Sequence, residues 1–331
     1  MRIGELFMFG YKPGDFESLR DFAEEHGLGG VILFERNLNS HYSMSGEIKR
    51  LNQAAGGRLI VSIDQEGGPV NRAKQEFPLF PSPRYYGDRK DFDGVRTMAR
   101  TTAKHLRALG INTNLVPVCD VLTNPDNVLM KKRSFGTTPE IVSECVLSLI
   151  DQYHKGGMLC CAKHFPGLGS ARIDPHEDIS LTEITYQEFE HIHWKPFEMA
   201  IGADVDLFMT THITAKSLDP ENIATFSKEV VSNILRSKLG FEGVIITDDL
   251  DMGAVSKNFP PEECAPAALK AGHDMILICH NKKDQETAFN SVLESYNNGQ
   301  IDRDEIAARI KRVKKLKEKL TNHAPYKKAS V

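Results

Sequence analysis

The chain has few cysteines, and it places none of them in a Cys-x-x-Cys pair. Zinc sites built from cysteine use such closely spaced pairs, and disulfide frameworks are typical of short, cysteine-dense chains, so neither is expected here. The six cysteines are Cys119, Cys145, Cys160, Cys161, Cys264 and Cys279. Because unpaired cysteines are typical of proteins from reducing compartments, we predict a protein of that kind, most simply one of the cytoplasm.

Long apolar runs and a strong excess of one charge are also missing. No stretch of about 18 apolar residues occurs, so no membrane span is predicted, and Glu5 interrupts the N-terminal segment that a signal peptide would need. The 41 basic and 45 acidic residues give a net charge of −4. A chain this balanced is not expected to bind nucleic acid or an anionic membrane through bulk charge. We expect a soluble monomer.

What the chain has instead is a regular series of short apolar runs. Each run is nearly continuous rather than alternating, as in strands that are buried on both faces of a parallel sheet. The runs are Leu6–Phe9, Val31–Phe34, Leu59–Ile63, Leu115–Val118, Leu159–Ala162, Val205–Met209, Val244–Ile246 and Met275–Ile278. The segments between them are long enough for helices, and some carry helix-start signals. A capping Ser227 opens one, Thr185 and Glu188 have capping-box spacing, and Thr138 precedes a proline.

Strands that alternate with helices predict an α/β fold, and their number predicts a (β/α)8 TIM-type barrel. We expect one domain over residues 1–331, ending in a helix at about 303–320. An open, doubly wound sheet is the alternative, because counting strands does not show that a barrel closes. The lysine-rich last helix is interpreted as amphipathic with a solvated face, rather than as a nucleic-acid patch.

In a barrel the catalytic groups come from the C-terminal ends of the strands. The polar residues that follow the apolar runs are therefore the candidates for a site. They are Asp64 to Gly68, Cys119-Asp120, Lys163-His164, Thr210 to His212, Asp248-Asp249 and His280-Asn281. Asp120 and Asp249 have an alternative role as caps of the helices that follow them.

One acidic residue of this set, Asp248, suggests chemistry on a glycosidic bond. Such chemistry usually needs two carboxylates, and Asp248 at the end of a strand is a good candidate for a nucleophile. No second carboxylate is evident, but the loop after Lys163-His164 carries Asp174-Pro175-His176. In an extended segment Asp174 and His176 point to the same side, so the carboxylate can orient the imidazole for proton transfer.

A metal site is the alternative interpretation of the same loop. His164, His176 and Asp174 are residue types that bind metals. The cation of the adjacent Lys163 argues against this interpretation, because it would oppose the charge of a metal ion.

Three segments resemble glycoside hydrolase family 3, and more narrowly its single-domain, NagZ-type β-N-acetylglucosaminidases (β-hexosaminidases). The segments are Asp64-Gln65-Glu66-Gly67-Gly68-Pro69-Val70-Asn71-Arg72, Lys163-His164-Phe165-Pro166-Gly167 followed by Asp174-Pro175-His176, and Ile246-Thr247-Asp248-Asp249-Leu250-Asp251-Met252. Shorter matches include Lys132 to Gly136 and Ala271 to Met275. The matches occur in order along nearly the whole chain.

The resemblance implies a retaining glycosidase that needs neither a metal nor a cofactor. It implies that Asp248 is the nucleophile, that His176 is the acid/base and that Asp174 is the partner of that histidine. The implied substrates are cytoplasmic muropeptide fragments, from which N-acetylglucosamine is released during cell-wall recycling. The residues implied to bind this sugar are Asp64, Arg72, Arg133, Lys163 and His164.

The sequence departs from the family pattern around the histidine loop. Leu168 and Ser170 replace a His and an Asp, Pro175 replaces a Ser between the paired residues, and Pro69 replaces an Arg in the first segment. Because Gly167 and Gly169 flank Leu168, we predict that this loop is mobile and closes on substrate.

Other functions remain open on the residues alone. A phosphorylase that uses phosphate in place of water is one alternative, since a histidine acid/base carries no negative charge that would repel phosphate. Another family 3 β-glycosidase is a second alternative, although such enzymes draw their acid from a further domain. A sugar-binding barrel without activity is the third, and the presence of Asp248 and His176 argues against it.

Overall fold

The structure is a computed structural model that describes residues 2–38, 41–74, 78–171 and 177–320. Short apolar segments form its strands, and those of the barrel wall are almost wholly buried. In chain order the strands are β1 (Phe7–Gly10), β2 (Gly30–Leu33), β3 (Ile60–Ile63), β4 (Gln65–Gly67), β5 (Val70–Asn71), β6 (Thr113–Asn114), β7 (Leu159–Phe165), β8 (Ser180–Thr182), β9 (Leu207–Thr210), β10 (Ile213–Ala215), β11 (Val244–Asp249) and β12 (Met275–Ile278).

Eight of the described strands close a parallel barrel in the order β1-β2-β3-β6-β7-β9-β11-β12. Closure is made by β1, which pairs with β12 through Phe7 and Ile276 and with β2 through Met8 and Gly30. The predicted (β/α)8 barrel is therefore confirmed, and the open doubly wound sheet is wrong. Two small pairs of strands, β4 with β5 and β8 with β10, lie outside the wall.

Helices surround the barrel, as the spacing between the strands predicts. In chain order the α-helices are α1 (Phe16–His26), α2 (His41–Ala54), α3 (Pro83–Arg89), α4 (Phe92–Ala108), α5 (Pro139–Lys155), α6 (Tyr186–Glu188), α7 (Lys195–Gly202), α8 (Gly253–Ser256), α9 (Pro261–Ala271), α10 (Lys282–Asn297) and α11 (Arg303–Lys319). Short 3-10 turns cover Ile3–Leu6, Pro13–Asp15, Glu35–Asn37 and Ala224–Phe226. No helix within the described ranges has the length and apolarity that crossing a membrane requires.

The helix-start signals are found where the sequence places them. The hydroxyl of Ser227 accepts a hydrogen bond from Val230 N at 3.1 Å, and Thr185 and Glu188 form the reciprocal capping box. Thr138 precedes α5 but makes no capping bond through its side chain. Two π-helical segments follow, Glu229–Lys238 after Ser227 and Phe189–His193 directly after α6, and the apolar periodicity did not predict either of them.

One strand of the wall is shorter than predicted. The apolar run Leu115–Val118 follows β6 instead of forming it, and Pro117 within this run has no N–H to give to a neighbouring strand. The run still lies along the wall, because Leu115 N donates to Ile63 O at 2.9 Å and Cys161 N donates to Val116 O at 2.7 Å.

The last helix, α11, closes the N-terminal end of the barrel. Its Val313 and Leu316 belong to the cluster of apolar side chains that fills the barrel interior, together with Met8 and Ile32. The lysine-rich surface of the helix is exposed, as predicted, at Lys311, Lys314 and Lys315. Lys317 is the exception, because its ammonium is buried, pairs with Glu5 and donates to Leu28 O at 2.8 Å.

Candidate active site

The C-terminal ends of three wall strands bring most of the predicted site residues to one face. Asp64 follows β3 directly, Lys163 and His164 lie near the end of β7, and Asp248 lies near the end of β11. Because the strands are parallel and the barrel is closed, these ends lie around a single opening. The peptide bond between Lys163 and His164 is cis.

A cluster of ion pairs lies at the centre of this face. It consists of the cations Lys163 and Arg133 and the carboxylates Asp64 and Glu66. The ammonium of Lys163, whose side chain is 2% exposed, lies 2.5 Å from Asp64 Oδ1 and 2.8 Å from Glu66 Oε1. Burial alone would lower the pKa of Lys163, but the two carboxylates raise it above its usual value. Lys163 is therefore a permanent cation that uses two of its three donors on the protein.

Glu66 belongs to this cluster, although no role for it is predicted from the sequence. It accepts Arg133 Nε at 2.9 Å on Oε2 and Arg133 Nη2 at 2.8 Å on Oε1. Burial would raise the pKa of this carboxyl, but Arg133 and Lys163 hold it well below its usual range. The sequence contains one indication of this role. Asp64 and Glu66 lie in one segment, and two acids can pair with the two predicted cations, Lys163 and Arg133.

His164 is held by partners on both of its ring nitrogens. Nδ1 lies 2.7 Å from Asp120 Oδ2, and Nε2 lies 3.2 Å from Arg133 Nη2. Since a guanidinium only donates, Nε2 accepts a hydrogen bond from Arg133, and the N–H at Nδ1 donates a hydrogen bond to Asp120. Both ring nitrogens of His164 therefore have partners within the protein, and the other two residues of the metal alternative, Asp174 and His176, lie outside the described residues.

Asp120 anchors the start of the histidine loop and is not a helix cap. Its Oδ1 accepts Leu168 N at 2.5 Å, while Oδ2 serves His164. The next helix, α5, begins after Thr138, well beyond this aspartate. The capping alternative is therefore wrong for Asp120, which instead joins β7 to the loop that follows it.

Asp248 faces the same interior as the charged cluster. Its Oδ1 accepts Asp249 N at 2.8 Å. Asp248 comes two residues after Ile246, and Lys163 comes two residues after Cys161; Ile246 and Cys161 both belong to the apolar cluster that fills the barrel interior. Because side chains two residues apart on a strand share a face, Asp248 and Lys163 lie on the inner face of the wall.

Asp249, which is next to Asp248, holds the ends of two strands together. Its Oδ1 accepts Asp251 N and Cys279 N, each at 3.0 Å, so it ties the end of β11 to the end of β12. Burial, with the neighbouring carboxylate of Asp251, raises the pKa of Asp249 to about 7. The helix that follows begins at Gly253 after Met252, so Asp249 is not its cap.

Arg72 lies at the same face, beside Phe34. It follows the β4–β5 hairpin, and its guanidinium lies 5.4 Å from the centre of the Phe34 ring. Its backbone N donates to Gln65 Oε1 at 3.0 Å, and its buried Nε has no hydrogen-bond partner among the residues that the structure describes.

The predicted pair Asp174 and His176 lies outside the described residues. The loop that leads to it is tightly held as far as Ala171, since Asn127 Nδ2 donates to Leu168 O at 2.9 Å. A Cβ on Gly169 would lie 1.9 Å from Val121 O. Close packing thus explains the glycine at this position, and the structure gives no support for a hinge there.

Comparison with known proteins agrees with this geometry. The model of the glycosyl hydrolase family 3 N terminal domain matches residues 1–316. A β-hexosaminidase of Idiomarina loihiensis is 34% identical over 259 residues, which are 77% of each chain. A secreted glycosyl hydrolase of Arthroderma benhamiae is 31% identical and covers 97% of this chain and 94% of its own.

A solved structure shows the same similarity in three dimensions. It is the family 3 β-N-acetylglucosaminidase of Paenibacillus sp. FPU-7, with a TM-score of 0.95 and 31% identity. It covers 99% of this chain, which spans 64% of the Paenibacillus chain. The match of the family model over nearly the full length confirms the resemblance that the motifs suggested, and the chain belongs to glycoside hydrolase family 3.

Proposed function

We propose that this chain hydrolyses terminal β-linked N-acetylglucosamine and retains the anomeric configuration. The assignment as a glycoside hydrolase of the β-N-acetylhexosaminidase type follows from the family and from relatives such as the Idiomarina and Paenibacillus enzymes. The observation that carries the proposal is the buried Asp64–Lys163–Glu66–Arg133 cluster, which lies at the same barrel end as Asp248.

The cluster is suited to a sugar because part of its hydrogen-bonding capacity is left over. Lys163 has one donor that neither carboxylate uses, and the side chain of Asp64 is 17% exposed whereas that of Glu66 is 1% exposed. Asp64 can therefore accept from a sugar hydroxyl while Glu66 holds the two cations in place. Charge-assisted bonds of this kind fix the ring relative to the nucleophile. Arg72 and His164 complete the proposed sugar-binding set.

In the proposed mechanism Asp248 attacks the anomeric carbon as the bond to the leaving oxygen breaks. Protonated His176 gives its proton to that oxygen, and a covalent glycosyl–Asp248 ester results. Neutral His176 then removes a proton from water, which displaces Asp248 from the anomeric carbon. Asp174 stabilises the imidazolium form of His176.

We propose that the natural substrates are N-acetylglucosamine–1,6-anhydro-N-acetylmuramic acid muropeptides in the cytoplasm, cleaved by a monomer with one catalytic domain. The support is the motif resemblance, together with the six cysteines, which are all unpaired and buried. One similar protein is a secreted hydrolase, so cell fractionation is the direct check of the compartment. Hydrolysis of chitobiose in strong preference to a muropeptide would contradict this substrate.

The test of the proposed nucleophile is to trap it. A 5-fluoro N-acetylglucosaminyl fluoride should form an adduct that mass spectrometry locates on Asp248. The variant Asp248→Asn should form no adduct and should lose hydrolysis of an aryl β-N-acetylglucosaminide. Asp126→Asn changes an exposed carboxylate on a loop at the same barrel end and should behave as the wild type.

Each alternative gives a different result in the same assay. An adduct on another residue would show that Asp248 is not the nucleophile. Cleavage of only the aryl β-glucoside would contradict the hexosaminidase assignment. A sugar 1-phosphate product whose yield rises with phosphate would assign a phosphorylase.

A further inference from the structure

A second cluster of reactive side chains lies at the opposite end of the barrel from Asp248. His154 is in the last turn of α5, Cys160 is the second residue of β7, and Asp206 directly precedes β9. His154 Nε2 lies 3.0 Å from Asp206 Oδ2, and Cys160 Sγ lies 3.6 Å from Nε2 and 3.8 Å from Oδ2. The three ligand-type atoms therefore face one another.

The separations of these atoms match those around a tetrahedral zinc ion. Bonds of about 2.0 Å to nitrogen and oxygen and about 2.3 Å to sulfur place the ligand atoms about 3.3 to 3.6 Å apart. The measured separations differ from this geometry by only a few tenths of an ångström. We propose that His154, Cys160 and Asp206 bind a divalent cation of the zinc class, for which this mixture of nitrogen, sulfur and oxygen is suited.

To bind the metal, the Cys160 thiol must lose its proton and the proton of His154 must be on Nδ1, but the backbone need not move. The thiol of Cys160 loses its proton to solvent as the metal–sulfur bond forms, and His154 presents the lone pair of Nε2 with its proton on Nδ1. The hydrogen bond between His154 and Asp206 is replaced by two bonds to the metal. The thiolate and the carboxylate together supply two negative charges, which neutralise the ion.

The carboxylate of Asp206 is already oriented for this role. Cys160 N donates to Oδ2 at 3.1 Å, which fixes that oxygen toward the cluster. The other oxygen, Oδ1, lies 2.8 Å from the ammonium of Lys319 on α11. Lys319 thus neutralises Asp206 from the side away from the cluster, and its positive charge opposes a metal ion there.

The cluster reaches solvent through His154, whose side chain is 32% exposed, whereas Cys160 and Asp206 are buried. A groove of about 420 Å³ runs beside the site between α11 and the barrel. Asp206, Lys315 and Lys319 line this groove. Lys319 has a second partner in Asp204 at 3.6 Å, toward which its ammonium can turn when a cation enters.

The test is a titration of the metal-free full chain with Co²⁺, followed by competition with Zn²⁺. We expect one equivalent of Co²⁺ to give a thiolate-to-cobalt charge-transfer absorption that Zn²⁺ abolishes. Cys160→Ala and His154→Gln should lower the affinity by more than about 100-fold, because even residues that only support metal ligands cost 10- to 100-fold. His105→Gln removes a partly buried histidine from the last turn of α4 and should bind as the wild type.

A second pair of variants tests the position of Lys319. Lys319→Met removes the opposing charge and should tighten Zn²⁺ binding several-fold, whereas Lys315→Met in the same groove should change it little. Circular dichroism and hydrolysis of the aryl glycoside show that each variant is folded. A folded wild type without the thiolate absorption, or an absorption that survives in both Cys160→Ala and His154→Gln, would overturn the proposal.

Discussion

The Lys163 cluster at the C-terminal end of the barrel and the Asp274 cluster at the N-terminal end are both buried ion pairs, but only the first has hydrogen-bonding groups that the protein does not use. At the C-terminal end, Lys163 keeps a spare donor, and Asp64 is partly exposed beside it. At the N-terminal end, Asp274 is fully buried and accepts Arg236 Nη2 at 2.6 Å and Arg312 Nη1 at 2.8 Å. Asp274 also accepts Ile245 N at 2.9 Å.

The difference follows from what covers each end. The helix α11 packs its apolar side over the N-terminal end and contributes Arg312 to the ion pair there. Asp274 is buried, and its oxygens already accept hydrogen bonds from the protein, so it has no capacity left for a ligand. Its ion pairs can therefore affect stability but not binding. The charges at the other end face an opening. We therefore expect substitutions at the two ends to separate activity from stability.

The largest expected effect is that of Glu66→Gln, which removes the buried carboxylate that pairs with Arg133 and Lys163. Arg133 and Lys163 lose a shared buried carboxylate, and breaking such a pair costs about 3–5 kcal/mol. The sugar-binding groups also lose their positions, so we expect kcat/KM to fall at least about 100-fold. Urea unfolding and kinetics on an aryl glycoside measure the two effects. Glu140→Gln, which changes an exposed residue of α5, is the control, and normal kinetics in Glu66→Gln would contradict the role of this carboxylate.

The next effect is that of Asp274→Asn, which breaks the N-terminal end alone. It leaves Arg236 and Arg312 without their shared anion and should lower the free energy of unfolding by about 3 kcal/mol. At temperatures where the variant is folded, kcat/KM should stay at the wild-type value. Asp304→Asn, at an exposed site on α11, should cost less than about 1 kcal/mol. A loss of activity in folded Asp274→Asn would show that the two ends are coupled.

A smaller effect is the pH dependence that comes from Asp249. Its pKa is raised from 3.8 to about 7 in the folded protein, so between these values the folded state binds more protons than the unfolded state. Its contribution to stability is therefore complete below about pH 4 and is lost as the pH rises through 7, with a slope of at most about 1.4 kcal/mol per pH unit. Asp249→Asn should remove this slope from unfolding curves measured between pH 5 and 8. An unchanged slope would assign the titration to another group.

The smallest effect is expected from an ion pair at neither end. Lys195 and Glu198 pair at 2.8 Å on the outer surface of α7, where their side chains are 43% and 35% exposed. Exposed pairs of this kind gain little, so Lys195→Ala should change the free energy of unfolding by less than about 0.5 kcal/mol. A cost comparable to that of Asp274→Asn would mean that burial is not what distinguishes these pairs.

Much of the catalytic end could be predicted because it depends on strand order. The rule that side chains after parallel strands share one face predicts that Asp64, Lys163, His164 and Asp248 lie at one end of the barrel. The roles of Glu66 and Asp120 could not be predicted in the same way. Their partners are far away in sequence, and a carboxylate that holds a lysine looks the same in a sequence as one that caps a helix.

The side-chain cluster at the N-terminal end could not be predicted from the sequence. His154, Cys160 and Asp206 have no metal-site spacing, since the last of them comes from a different strand. The π-helical segments were missed for a related reason, because an apolar stripe at helical spacing does not distinguish one helix type from another. Local patterns therefore predicted the elements, and only the closed barrel showed which distant side chains meet.

The pairing of β1 with both β2 and β12 has a consequence for biosynthesis. β1 leaves the ribosome long before β12, so its second neighbour is complete only when Ile278 has been added. Until then one side of β1 presents free N–H and C=O groups, and such edges pair readily with other nascent chains. Chaperone dependence during translation, rather than the stability of the finished enzyme, is therefore expected to limit the yield of truncated or slowly translated forms.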